Sequence, residues 1–109
     1  MPKMADSILQ HDIDRCYLCG RSGTSIDPLV WHHVFFGPYR KKSEQYGLKI
    51  RIHNISCHIY GANAVHVNSR ICRRVQSAAQ RVAMRRYGLT TEDFISIFGR
   101  NYIETEGVD

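Results

Sequence analysis

Two cysteines three positions apart and a crowd of histidines are the residues in this chain best suited to chemistry. Cys16-x2-Cys19, followed at once by Gly20, has the spacing of a metal knuckle. Both thiolates can face one ion across a tight turn, and glycine supplies the unusual dihedral such a turn needs. Five of the six histidines, at 32, 33, 53, 58 and 66, fall within a 35-residue window. A tetrahedral structural zinc needs two ligands beyond Cys16 and Cys19. The supply is the segment Ile52-His53-Asn54-Ile55-Ser56-Cys57-His58, in which Cys57 is the third ligand. For the fourth, Asn54 stands where a second Cys-x2-Cys would place its thiolate, but an amide is a poor zinc ligand. His53, four residues before Cys57, substitutes if the loop bulges by one residue. Disulfides are the weaker reading of these cysteines, because a reducing compartment keeps thiols free.

His32 and His33 are adjacent. On a strand, neighbours point to opposite faces. Both reach one centre only if the strand bends near Gly37-Pro38; otherwise one is a core histidine and the other a surface one. Cys72 reads as a buried thiol, His11 as a surface residue and Trp31 as core.

These side chains must be held by a small set of elements. Residues 4–12 suggest a short helix. Leu29 to Phe36 is rich in β-branched and aromatic residues and reads as a strand that Gly37-Pro38 ends. Leu48 to Ile52 alternates apolar and basic residues, the period of a half-buried strand. A short helix starts near Cys57-His58. Asn68 or Ser69 caps a long helix that runs to Tyr87 and stops at Gly88. On a helical wheel, Ile71, Val75, Ala78 and Val82 fall within about 60° and form the core stripe. Thr90-x-x-Asp93 is a capping-box start for a last short helix with Phe94, Ile97 and Phe98. The result is an α+β arrangement in a single domain spanning 1–109: a zinc knuckle and core at 15–68, a helical extension at 68–103 and a frayed tail at 104–109. So small a core gains from a structural metal.

The charge is segregated. The net is +5, yet residues 28–91 hold eleven Lys and Arg against one acid, Glu44, and the flanks hold four basic and nine acidic residues. A cationic block of this kind suits a polyanion, and phosphate contacts supply most non-specific nucleic-acid affinity. Arg70, Arg73, Arg74, Arg81 and Arg85 share one side of the long helix, within about 120° on the wheel. With Arg40, Lys41 and Lys42 in the earlier basic segment they are the candidate contacts to nucleic-acid phosphates. The alternative is a solvated helix face and a charged loop. The longest apolar run is four residues, Cys16–Cys19, against ~20 for a membrane helix. No apolar leader opens the sequence, so no membrane association and an intracellular location are expected.

Cys16-x2-Cys19, then His32-His33-Val34-Phe35, a basic loop, and Cys57-His58 ahead of a helix together resemble HNH endonucleases of the ββα-metal, treble-clef type. The run from Val34 to Leu48, Val65-His66-Val67-Asn68, and Phe98-Gly99-Arg100-Asn101-Tyr102 are similar to small HNH-like proteins of bacteriophages and prophages. The resemblance covers about residues 15–103. It implies a zinc-knuckle plus ββα-metal core with a long basic C-terminal helix, acting on DNA in a bacterial cytoplasm, with phage or host recombination proteins as candidate partners. It implies a structural Zn2+ and a catalytic divalent ion such as Mg2+ or Mn2+. His32 would ligate the catalytic ion, His33 would be the general base, His58 a second ligand, and His66 would complete or support the site. Phosphodiester hydrolysis fits those roles: an imidazole titrating near ~6.5 takes a water's proton at neutral pH, and a cation offsets charge growing at phosphorus. The pattern departs from the family at Asn54, where a cysteine is usual, and in the stretch between the strands, which lacks the asparagine that orients the base. Asn54 and Asn63 lie later. A catalytically degenerate, zinc-stabilised DNA-binding or recombination accessory protein is the alternative function, and a basic helix docking an acidic protein is a third.

Overall fold

The fold was described from a computed structural model over residues 6–59, 61 and 64–103. Asn63 and the tail at 104–109 lie outside the described residues. The chain is a mixed α+β structure with one two-stranded sheet. Strands β1 (Leu29–His33) and β2 (Lys49–His53) pair antiparallel, with Leu29 opposite His53 and His33 opposite Lys49. β1 is shorter than its composition predicts. One further bond, from Val34 N–H to the Leu48 carbonyl at 3.0 Å, prolongs the ladder. Pro38, at the start of a 3-10 turn over Gly37–Tyr39, then carries the chain into α1 (Arg40–Gln45).

Buried Ser43 locks α1 to the hairpin. Its hydroxyl accepts from Phe35 N–H at 3.2 Å and donates to the Leu48 carbonyl at 2.5 Å. Gly47 closes the turn with φ of 72°, a left-handed conformation that glycine adopts without penalty. A side chain there would also collide with the Asp6 carbonyl of the N-terminal segment.

That segment is not helical over residues 6–12, contrary to expectation. It lies along β2 instead. Ser7 Oγ donates to the Lys49 carbonyl at 2.7 Å, and Gln10 Oε1 accepts from Arg51 N–H at 2.8 Å. Polar side chains bonded to strand backbone compete directly with helix formation.

The segment after β2 is a π-helical turn, Asn54–Ile59, rather than an α-helix. The long helix α2 (Ser69–Tyr87) begins where Asn68 Oδ1 accepts from the backbone of Arg70 and Ile71, and ends at Gly88 with φ of 64°. Its buried stripe is rotated from the one the wheel predicts. Val75, Ala79, Gln80 and Ala83 are buried, while Ala78 and Val82 are half-buried. Gln80 explains the rotation: its amide donates to Asn101 Oδ1 at 2.8 Å and accepts from Tyr102 N–H at 2.6 Å. A polar residue is thereby satisfied in the interior. Helix α3 (Thr91–Phe98) opens with the Thr90/Asp93 capping box. Phe94 and Phe98 close over Phe35, with ring centroids 5.4 and 4.9 Å away, and Tyr102 packs against it at a tilt, 4.7 Å away. This aromatic box anchors the helices to the strand end that carries His32 and His33.

Trp31 is half-buried rather than core. It lies on the sheet face away from Ile50 and Ile52, under Lys49 Nζ at 4.7 Å and the Arg51 guanidinium at 5.3 Å. Among the described residues no helix is long and apolar enough to cross a membrane.

Candidate metal centres

Cys16, Cys19, His53 and Cys57 converge, with one donor atom from each and all four within 4.8 Å of one another. The knuckle brings the first two together. Gly20 N–H donates to the Cys16 carbonyl at 2.8 Å, Cys16 N–H to the Arg21 carbonyl at 2.9 Å, and Cys19 N–H points at Cys16 Sγ, 3.4 Å away. His53 Nδ1 lies 3.3 Å from Cys19 Sγ and 3.9 Å from Cys57 Sγ. A tetrahedral zinc with bonds of ~2.0–2.3 Å has edges of roughly 3.3–3.8 Å, so these separations suit one ion. The donor set is three soft sulfurs and an imidazole, which favours zinc over harder cations.

The side chain that joins the three thiols is therefore that of His53, the last residue of β2, and not that of Asn54, the first residue of the π-turn. The outer bond also fits. His53 Nε2 donates to the Ser22 carbonyl at 2.8 Å, which leaves Nδ1 with its lone pair toward the sulfurs. That carbonyl raises the His53 pKa, against the opposing effect of burial. Burial tends to raise the Cys16 thiol, but amide donors from Cys19, His53 and Leu18 outweigh it and lower it to about 7. Burial pushes the Cys57 thiol up to about 12, with the neighbouring Cys16 adding to the shift. Metal binding would release these thiol protons.

A second cluster joins His32 of β1, His58 of the π-turn and His66, with their ligand atoms within 4.8 Å of one another. His58 and His66 are set side by side by two backbone bonds, from Val65 N–H to the Cys57 carbonyl and from His66 N–H to the His58 carbonyl. Their Nε2 atoms are 3.0 Å apart. The His32 ring is 5.2 Å from the His58 ring and 5.3 Å from the His66 ring, edge-on to both. Burial lowers the His32 pKa to about 3, and the charges of His58, His66 and His33 add to the effect. Burial, then His66, lowers that of His58. At neutral pH these two imidazoles keep their lone pairs, as a cation requires. Exposed Phe36 flanks the cluster, its ring 5.9 Å from His66 and 6.2 Å from His32.

His33 does not join the cluster. It points to the other sheet face, where Nε2 lies 2.8 Å from Glu44 Oε1 and Lys49 Nζ lies 2.8 Å from Glu44 Oε2. Burial pushes the Glu44 carboxyl up, but the bonds from Lys49 and His33 prevail and hold it below the ordinary carboxylate range. The basic candidates are peripheral: Arg40, Lys41 and Lys42 are exposed on α1, and Arg70, Arg73, Arg74, Arg81 and Arg85 are exposed on α2.

Two residues that matter were not singled out from sequence. Glu44 is the lone acid of the basic block, which is the signal that marks it. Asp27 braces the π-turn: Oδ1 accepts from Ile55 N–H at 2.6 Å, and Oδ2 accepts from Ser56 N–H at 3.2 Å and Ser56 Oγ at 2.7 Å. The Ile55 bond is the main cause of its lowered pKa. Since the turn carries both Cys57 and His58, Asp27→Ala is expected to weaken zinc retention about 10- to 100-fold, read by competition with a chromophoric chelator. An unchanged affinity would show that the knuckle alone orders the turn.

Compared with known proteins, the chain matches no family model, no curated protein and no solved structure.

Proposed function

We propose that this protein is a metal-dependent DNA endonuclease of the HNH type, phage-encoded and acting in a bacterial cytoplasm, with a treble-clef core built around a structural zinc. The observation that carries the reading is the convergence of His32 of β1, His58 of the π-turn and His66, with His33 the next residue along β1 and Cys57 of the other cluster the residue before His58. A divalent ion bound by the three histidines would supply positive charge to the scissile phosphate and the departing oxygen. The chain's own residues do the rest. His33 takes the proton of the attacking water as the water oxygen bonds to phosphorus and the bond to the leaving oxygen breaks. The buried, neutral His32 keeps its lone pair directed into the cluster. The exposed arginines of α2 and Arg40, Lys41 and Lys42 hold the DNA backbone, and phage or host recombination proteins are its candidate partners.

Incubation of the purified chain with supercoiled plasmid, in Mg2+, Mn2+ or EDTA, tests the reading. Metal-dependent conversion to nicked or linear DNA is expected. Plasmid retained but never cut would instead indicate a zinc-stabilised binding protein. The electrostatic part has its own readout. Binding should weaken linearly on a log–log plot against salt, and Arg70→Gln and Arg74→Gln should each lower the slope by about 1 without changing sequence preference. A slope unmoved by both substitutions would remove this face of α2 from the interface.

A further inference from the structure

His33 is held by a carboxylate that is itself held twice. Glu44 Oε1 meets His33 Nε2 at 2.8 Å, and Glu44 Oε2 meets Lys49 Nζ at 2.8 Å. The His33 and Glu44 side chains are only 10% and 23% exposed, and that of Lys49 only 3%. Lys49 Nζ is in turn held over the Trp31 ring, and its strand partner is His33 itself. The backbone beneath Glu44 is pinned by Ser43, bonded to both strand ends. Neither rotation of the carboxylate nor sliding of α1 is available without breaking a buried contact. The only acid in a basic block thus faces the one histidine of the pair that is outside the three-imidazole cluster.

We propose that Glu44, clamped by Lys49, is the positioning residue for His33: by accepting a hydrogen bond from Nε2–H it holds the ring in one tautomer and one orientation, and makes Nδ1 the atom that accepts a proton in the reaction. The proposal rests on the nuclease reading and deepens it. It fills the place of the asparagine missing between the strands with a residue of different chemistry. An imidazole has one lone pair when neutral, and a carboxylate on the far nitrogen decides which atom carries it. A carboxylate also stabilises the imidazolium that forms on proton transfer, which a neutral amide does less well. Lys49 prevents the carboxylate from turning away and keeps it ionised beside a half-buried ring.

The test uses the full chain with its zinc, comparing wild type with Glu44→Ala and Glu44→Gln in plasmid nicking with Mg2+ and in long-range 1H–15N spectra of 15N-histidine protein. Glu44→Ala is expected to lower kcat by about 100- to 10,000-fold with KM for plasmid within about threefold. Glu44→Gln, whose amide oxygen can still accept from Nε2, should recover at least about tenfold of that loss. The wild-type spectrum should show His33 as a single Nε2–H tautomer, and Glu44→Ala should show a mixture. Far-UV circular dichroism and zinc content confirm that each variant is folded. A Glu44→Ala protein that is folded and nicks at the wild-type rate overturns the proposal, as does an unaltered His33 tautomer. So does equal loss of kcat in both variants with KM raised in parallel, the mark of a merely structural residue. Failure of the nuclease reading looks different: wild type cuts nothing with any metal.

Discussion

His33→Ala abolishes metal-dependent nicking while leaving salt-sensitive plasmid binding within about twofold of wild type: this is the outcome we expect of the first experiment on a variant. General-base catalysis contributes about 100- to 10,000-fold, so the loss should reach the background of the assay. The variant isolates chemistry from structure unusually well. The side chain is bonded to Glu44 on the other sheet face, so the three histidines that would hold the ion keep their places. Its removal leaves Glu44 with the Lys49 ammonium, so no charge is stranded. It leaves unchanged the exposed arginines of α2 that would grip DNA. Nicking kinetics and filter binding across a salt series, run on the same preparations, separate the two quantities. Nicking at the wild-type rate would exclude His33 as base. Equal loss of binding and nicking would point to a collapsed hairpin.

Removing a zinc held by Cys16, Cys19, His53 and Cys57 carries the second large expected effect. Chelation, or Cys57→Ser, is expected to eliminate the cooperative thermal transition or lower its midpoint by about 15–30 °C. The magnitude follows from the size of the chain. Structural zinc in small peptide sites binds with about 10–16 kcal/mol at neutral pH, comparable to or larger than the ~5–15 kcal/mol stability of a whole domain. Even a loss of about 4 kcal/mol would move the midpoint of a 100-residue domain by that range. The aromatic box of Phe35, Phe94, Phe98 and Tyr102 cannot compensate, because it lies at the far end of the hairpin from the knuckle. Cys57 is the informative position. Its thiol faces the cysteine cluster, its carbonyl receives Val65 N–H, and the next residue is His58, so both clusters depend on it. The check is calorimetry with metal analysis before and after chelation. A purified chain that holds no zinc, or one whose apo form melts at the same temperature, would refute a structural role.

Local signals read correctly wherever the deciding contact is near in sequence. The Cys16-x2-Cys19-Gly20 knuckle, the Asn68 cap and Gly88 stop of α2, and the Thr90–Asp93 box were legible because each is closed by bonds spanning a few residues. The composition of Leu29 to Phe36 and the alternation of Leu48 to Ile52 likewise mark strands, although the first ends three residues early, at His33, and the second is displaced by one, to Lys49–His53. The helical wheel missed the rotated stripe on α2. It ranks residues by hydrophobicity, and Gln80 is buried because its partners, Asn101 and Tyr102, lie more than twenty positions away.

Residue types and spacing supply the inventory: three thiols with His53 or Asn54 for one centre, five clustered histidines from which a second could be drawn, a basic block around them and the helices that follow. Tertiary structure decided the assignments. His53 rather than Asn54 meets the three thiols at the junction of β2 with a π-turn, and that turn is braced by Asp27 from 28 and 29 residues upstream. The separation of His32 from His33 became definite only with the hairpin register, which turns one imidazole toward His58 and His66 and the other toward Glu44. The physical reason is the same in each case. Ligand geometry and hydrogen bonds are directional over about 3 Å, whereas residue type and spacing constrain only what the chain can bring to that distance.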